Sequence, residues 1–356
     1  MSARELLWTR LREAALVQGD VPPADTAASP WYVRVMLGIA GWIGAFFLLS
    51  FVGVAFVFIA RNAGASLTVG VLACVVATAM FRAAPRNDFL GQFALAVSLA
   101  GQAMLALGLG ELLHPWERSW QPIAALIAVQ QAVLFIFVPN FIHRVWTAWS
   151  ASYAALLALG AAFGHFAPAI ATAAFIAVWL REFQHPRHAS LLRAAGYGLA
   201  LTTVHCAVLS GSLAQALVWG AGFDTPTGRN PWGWASGAAA GAVLVGGVIA
   251  LLRRERLALA SGPARSALAG ALMLALATLK APGLAPATAI LVVGYANGNR
   301  VVAGLGVVAL LAYLSHYYYA LQATLLEKSM LLAAAGAAVL VARFVLQRWW
   351  PEIEHA

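Results

Sequence analysis

Long apolar stretches separated by short polar, Gly- or Pro-bearing breaks run through almost the whole of this chain. They occupy residues 33–60, 65–81, 89–112, 120–138, 145–164, 167–180, 190–218, 234–252, 264–280, 284–296, 301–320 and 328–347. A helix rises about 1.5 Å per residue, so about 20 apolar residues cross a bilayer core. Lipid offers the backbone no hydrogen-bond partners, so such runs must satisfy their own as helices. The pattern predicts an all-α integral membrane protein, a polytopic bundle of about 12 transmembrane helices. Two runs, 167–180 and 284–296, are short, and each follows a Pro-bearing turn, Phe163–Pro168 and Lys280–Pro286. The pair 264–296 therefore has a second reading, a re-entrant hairpin beside about 10 full spans, with every other loop on the same side.

Ahead of the spans, residues 3–18 read as an amphipathic helix. Leu7, Trp8, Leu11 and Ala15 lie on one side and Arg4, Arg10, Arg12 and Glu13 on the other, as in a helix lying at the inner interface or packed beneath the bundle. A Pro-bearing linker, Val21 to Pro30, closes this segment of residues 1–30. Residues 31–348 form the membrane domain and 349–356 a cytoplasmic tail.

Charge orients the bundle. With the N-terminus in the cytoplasm, only Arg61, Arg118, Arg229, Lys280 and Lys328 of the 22 lysines and arginines fall outside, no more than one to an outer loop. Cationic loops resist translocation, so both termini are expected inside. One span too many or too few would reverse every later loop and blur this sorting. The same bias accounts for the net charge of +9, so nucleic acid is not an expected partner. Composition agrees: 62% hydrophobic and 10% charged residues exclude an ordinary soluble domain. Cys74 and Cys206 both sit in apolar runs, which indicates neither a disulfide framework nor a zinc site. The first 30 residues carry charges and no apolar core of a cleavable signal.

All 13 acids fall in loops, termini or span ends, whereas proton relays and cation-coupled carriers use a carboxylate at depth. The imidazoles read at depth are His205 and His316. His205 shares a helical stripe with Tyr197 and Ser212, and His316 shares a face with Tyr313 and Tyr317. These five, His205, His316, Tyr313, Tyr317 and Tyr197, are the candidates for an outward-facing polar cavity, with His114 and His165 near the same surface. The opposite arrangement, each histidine apart and bonded to a neighbouring helix, is the expected one. Ser98 with Gln102, Gln130, Gln131 and Gln215 supply amides for hydrogen bonds between helices. Arg253, Arg254 and Arg256 read as a topology anchor and as candidates for anionic-lipid contact. The turn Gly294 to Arg300 lacks the Lys and Ser/Thr of a phosphate loop. Gly38, Gly41, Gly44 and Ala45, like Gly237 to Gly241, read as close-packing seams. Trp31, Tyr32, Trp116, Trp120, Trp232, Trp234, Trp349 and Trp350 mark an aromatic belt. No paired carboxylates, nucleophile elbow or metal motif appears, so neither a cofactor nor a metal is expected.

Three stretches carry a resemblance. They are Pro30 to Arg34 leading into Leu37–Trp42, Asp88–Gln92 running into Ser98–Gln102, and Tyr317–Ser329. Together they resemble the bacterial membrane family known as domain of unknown function 4401. The resemblance implies a multi-pass protein of the bacterial inner (cytoplasmic) membrane. It also implies a small single-pass partner carrying a GDYxxLxY motif. Within the last stretch, Thr324 and Glu327 read as a capping box for the final helix. Tyr317, Tyr318 and Tyr319, with Lys328, form a candidate docking collar for that partner. The function expected first is a non-enzymatic membrane subunit: a transporter- or channel-like component, or a scaffold acting with a small partner. The alternative is a lipid-binding or lipid-handling protein with an outward-facing cavity.

Overall fold

A computed structural model describes residues 3–15, 17–21, 62–83, 87–113, 120–184, 186–208, 233–320 and 324–330, with scattered helical positions between 32 and 47 and between 333 and 348. The described residues are helices and turns, with no strand among them. The helices are α1 (Ala3–Glu13), α2 (Ala63–Ala83), α3 (Asp88–Leu113), α4 (Gln121–Phe137), α5 (Phe141–Ala158), α6 (Gly160–Gly164), α7 (Ala167–Arg181), α8 (Ala189–Val208), α9 (Gly233–Arg254), α10 (Gly262–Thr278), α11 (Leu284–Ala296) and α12 (Arg300–Ala320). From α2 onward each falls on an apolar run read from the sequence. Within α2, α3, α8, α9 and α12 lie stretches long and apolar enough to cross a membrane. Most of the runs 33–60 and 328–347 lie outside the described residues, as do 209–218, the linker at 22–30, the tail 349–356, Arg61, Arg118, Arg229, His114, Ser212 and Gln215.

The N-terminal helix is shorter than expected. It stops at Glu13, because Ala15 takes a left-handed φ of 56° and turns the chain. Trp8 Nε1 then donates to the Gly19 carbonyl at 3.2 Å, tying the turn back to the helix.

Small residues set the helix spacing, as expected in lipid, where association depends on close van der Waals packing. A Cβ on Gly41 would lie 2.9 Å from both the Gln92 Cβ and the Phe89 carbonyl, and one on Gly241 would lie 2.9 Å from the Ala275 Cβ. The predicted seams at Gly41 and Gly241 are therefore real crossings, onto α3 and α10. Gly70 and Gly101 form a third, each facing the other's carbonyl, where α2 meets α3.

The centre of the bundle is α11. It is apolar on every side, as a fully enclosed helix must be, and Ala285, Ala287, Ala289, Ile290 and Val293 are all buried. Around it pack α7, α8, α9 and α12. Gly283 at its start lies against the Tyr313 ring and the Ala207 carbonyl. Its other end is held by Arg254, which donates to the Ala296 carbonyl at 3.1 Å and to Asn297 Oδ1 at 2.6 Å. A guanidinium there also complements the negative end of the helix dipole. Beside it, α10 runs the length of α9, from Ala264 packed with Leu252 to Thr278, whose carbonyl faces Gly237. The turn at Lys280 thus reaches the same end of the bundle as the start of α9, and Lys280 is exposed there.

Local caps finish the elements. Asn299 Oδ1 accepts from the backbone N–H groups of Val301 and Val302, starting α12. At residues 324–327 the predicted capping box is complete. The Thr324 N–H donates to Glu327 Oε2 at 2.8 Å, and the Glu327 N–H donates to Thr324 Oγ1 at 3.3 Å. These bonds, to the backbone first and the hydroxyl second, hold the exposed Glu327 carboxyl below the usual carboxylate range.

Candidate functional site: an aromatic groove on a buried polar network

Four polar side chains meet in the interior between α3, α4 and α5. Ser98, Gln102, Gln131 and His143 are all buried. Gln102 Nε2 donates to Ser98 Oγ at 3.1 Å, and Ser98 Oγ lies 2.8 Å from His143 Nε2. The serine oxygen can accept twice, so the direction of the Ser98–His143 bond follows the imidazole tautomer. The two lone pairs of Gln102 Oε1 are both used, by Gln131 Nε2 and by Trp146 Nε1, each at 3.0 Å. His143 Nδ1 and Gln131 Oε1 are buried with no partner. Of the amides expected to bond between helices, Gln102 and Gln131 do so. Ser98 and Gln102 bond along one helix at the predicted i, i+4 spacing. Gln130 Nε2 is buried with no partner among the described residues, and Gln215 lies outside them.

His143 itself is the residue that the hydrophobic pattern misses. Adjacent to Arg144, it reads as part of an inner loop. The helix begins earlier, at Phe141, because the Asn140 side chain caps it by accepting from the His143 N–H at 2.9 Å. An Asn three residues ahead of the histidine is the local signal that places it on the helix.

Trp146 carries the network to the surface. Its ring meets Trp149 edge-on, with centroids 5.1 Å apart. Trp149 in turn lies 6.2 Å from His205 of α8, and the His205 ring packs on Tyr153 at 4.1 Å. On α5, positions 146, 149, 150, 153 and 157 recur at three- and four-residue spacing, so they share one face. With Trp120, Ile123 and Ile127 at α4, that face and His205 line a groove of about 470 Å³. The parallel approach of α8 to α5 sets its width. A Cβ on Gly198 would lie 2.5 Å from the Ala148 Cβ, and Ser152 and Thr202 share a 2.6 Å hydrogen bond.

The groove is walled almost entirely by carbon, and Ser150, Tyr153 and His205 are the hydrogen-bonding side chains among its lining residues besides the tryptophans. Each of the three is half-buried. None of these side chains has a hydrogen bond within the described residues; the imidazole and the phenol make only ring contacts. A polar group left unpaired in apolar surroundings costs about 1–3 kcal/mol. The groove therefore offers donors that the protein does not itself satisfy. A second cavity, of about 500 Å³, lies between α2 and α4 and is lined by Val71, Val75, Leu134 and Phe137, with Arg82 and Gln130 among its few polar residues.

The family model described as domain of unknown function 4401 matches residues 30–349, nearly the whole chain. The chain belongs to this family. No curated protein and no solved structure matches it. The matched region contains both the polar network and the groove.

The five residues proposed from the sequence to share an outward cavity separate. His205 lines the groove, and neither Tyr197, Tyr313, Tyr317 nor His316 is among its lining residues. Tyr197 is eight residues from His205, about 12 Å along the helix axis. There it hydrogen-bonds Asn299 and meets Trp179 and Phe141 edge-on. Tyr313 is buried beside Gly283 and stands 5.9 Å from Tyr317, while His316 is exposed. Tyr318 and Tyr319 lie edge to face, with Lys328 Nζ 5.0 Å from the Tyr318 ring centroid. Among the three arginines, Arg254 is engaged by α11 and Asn297, whereas Arg253 and Arg256 are exposed.

Proposed function

We propose that this protein is a non-enzymatic, multi-pass protein of the bacterial inner membrane that holds a membrane-dissolved, mainly apolar molecule in the groove between α4, α5 and α8. One observation carries the reading: three hydrogen-bonding side chains, Ser150, Tyr153 and His205, line an aromatic-walled groove and have no hydrogen-bond partner among the described residues. A polar solute in transit would be better served by a hydrated, polar-lined cavity at broken helices. The cavities beside α4 are walled by carbon instead.

Native mass spectrometry of the protein extracted in mild detergent tests this. The wild type is expected to retain a lipid-sized adduct, and Ser150→Trp, which fills the groove from a half-buried position, is expected to lose it. Retention of the same adduct by the folded variant would remove the groove from the proposal. A second reading, a scaffold for a small single-pass partner, is favoured by the exposed Tyr319 beside the Lys328–Tyr318 contact. In the same spectrum it predicts an adduct with the mass of a small polypeptide, insensitive to Ser150→Trp.

The proposed topology has about 12 spans with both termini in the cytoplasm. It is supported by the charge sorting and by the way α10 lies along α9 from Leu252 to Gly237. Cysteine placed at Lys280 is expected to react with a membrane-impermeant reagent added outside intact cells. Labelling only after the inner face is opened would establish a re-entrant hairpin.

A further inference from the structure

Resting on the reading of the groove as a binding site, we infer that its ligand is a flat ring carrying oxygen acceptors on an apolar tail, of the isoprenoid quinone or quinol class. The walls come first. Trp120, Trp146, Trp149 and Tyr153 present aromatic surface to one groove of about 470 Å³, within the roughly 300–1,000 Å³ of small-molecule sites. Stacked or edge-on packing against such walls favours a planar guest. The polar groups come second. A seryl hydroxyl, a phenol and an imidazole N–H can all donate, and all three lack an acceptor.

A ring with carbonyl or hydroxyl oxygens on its rim supplies acceptors to these donors. A saturated acyl chain supplies none. The ester and phosphate oxygens of a phospholipid do accept, and a quaternary ammonium suits aromatic walls. Among the described residues, however, no lysine or arginine lines the groove to pair with a phosphate, and no carboxylate to pair with the cation. Position adds a third argument. His205 and Tyr153 are in ring contact at 4.1 Å, so both side chains belong to one small region of the groove wall. Ile123, Ile127 and Leu157 then leave an apolar path for a tail. Trp146 is held from behind by Gln102, so that wall is fixed before any ligand arrives. Binding alone is inferred, with no electron transfer.

The test uses the full chain in nanodiscs of phosphatidylethanolamine and phosphatidylglycerol, titrated with decylubiquinone, a short-tailed benzoquinone, while tryptophan emission is followed. The expected result is a saturable component of quenching. His205→Leu should weaken it about tenfold, the equivalent of about 1.4 kcal/mol, and Tyr153→Phe severalfold. His316→Leu should leave it unchanged. Tyr153→Phe removes a single oxygen, so it reports on the site even if His205→Leu folds poorly. Quenching that rises linearly and identically in all variants overturns the inference, as does displacement of the quinone by phosphatidylcholine at equal content. If a lipid adduct sensitive to Ser150→Trp survives while saturable quinone binding is absent, the ligand class is wrong and the groove remains a binding site. Loss of both refutes both.

Discussion

Gly198→Leu is expected to prevent α5 and α8 from closing and to abolish the groove with the fold around it. At Gly198 the two helices approach within backbone contact: a Cβ would lie 2.5 Å from the Ala148 Cβ and 2.7 Å from the Trp149 backbone nitrogen. Neither obstacle is the tip of a flexible side chain, so relief requires a helix to move. Even alanine should cost about 1–3 kcal/mol, the usual range for overpacking a tight interior, and leucine more. Displacement of α8 would also break the Ser152–Thr202 bond and part His205 from Tyr153. Unfolding of the purified protein in mixed micelles with increasing dodecyl sulfate should show a lower midpoint for Gly198→Ala and little folded Gly198→Leu. Gly246→Leu is the matched control, because a Cβ there meets nothing within 4 Å. Equal tolerance of leucine at both glycines would show that the α5–α8 crossing is not formed.

Gln102→Leu is expected to be the most damaging single change in the polar network. Gln102 makes three hydrogen bonds of 3.1 Å or less, to Ser98, Gln131 and Trp146. The bonds to Gln131 and Trp146 cross to other helices, and such bonds in a membrane average about 0.6 kcal/mol each, so their direct loss is about 1 kcal/mol. The change also strands Trp146 Nε1 and Gln131 Nε2, in a region where His143 Nδ1 and Gln131 Oε1 already lack partners. Because Trp146 is a groove wall, loss of its anchor should weaken ligand binding as well as stability. Gln102→Glu keeps the accepting oxygens but sets an acid in the interior, and should be no better tolerated unless it is protonated. The same micelle titration checks both variants. A midpoint within error of wild type for Gln102→Leu would mean that this network contributes nothing to holding α3, α4 and α5 together.

Much of the helical layout is legible along the chain, and particular residues show why. Most runs from 65 to 320 are helices near the predicted limits, because apolar composition in lipid leaves the backbone one solution. The helix on the run 145–164, however, starts at Phe141 and breaks at Gly160, and the run 190–218 is described only to Val208. Gly41 and Gly241 could be read as seams, since small residues are what close approach requires. Thr324 and Glu327 could be read as a cap, because its geometry spans three residues. His143 was not legible from hydropathy, since its helix starts four residues earlier than the apolar run does. His205 lines the groove between α4, α5 and α8, and His316 is not among its lining residues. Their stripes were correct as local faces, but a stripe does not say which helix it meets.

The sequence by itself determined which segments are helical, which faces are small or aromatic, and through the sorting of arginine and lysine which side each loop is expected to take. These properties depend on periods of three or four residues and on the solvent that each segment must satisfy. Only the tertiary structure decided that α8 packs parallel to α5, so that His205 meets Trp149 and Tyr153 and not Tyr313 or Tyr317. It likewise decided that α11 is enclosed, and that Gln102 reaches Trp146. Those pairings join helices separated by other helices in the chain. They depend on how glycine-sized gaps and side-chain volumes mesh across a crossing, and no local period encodes that.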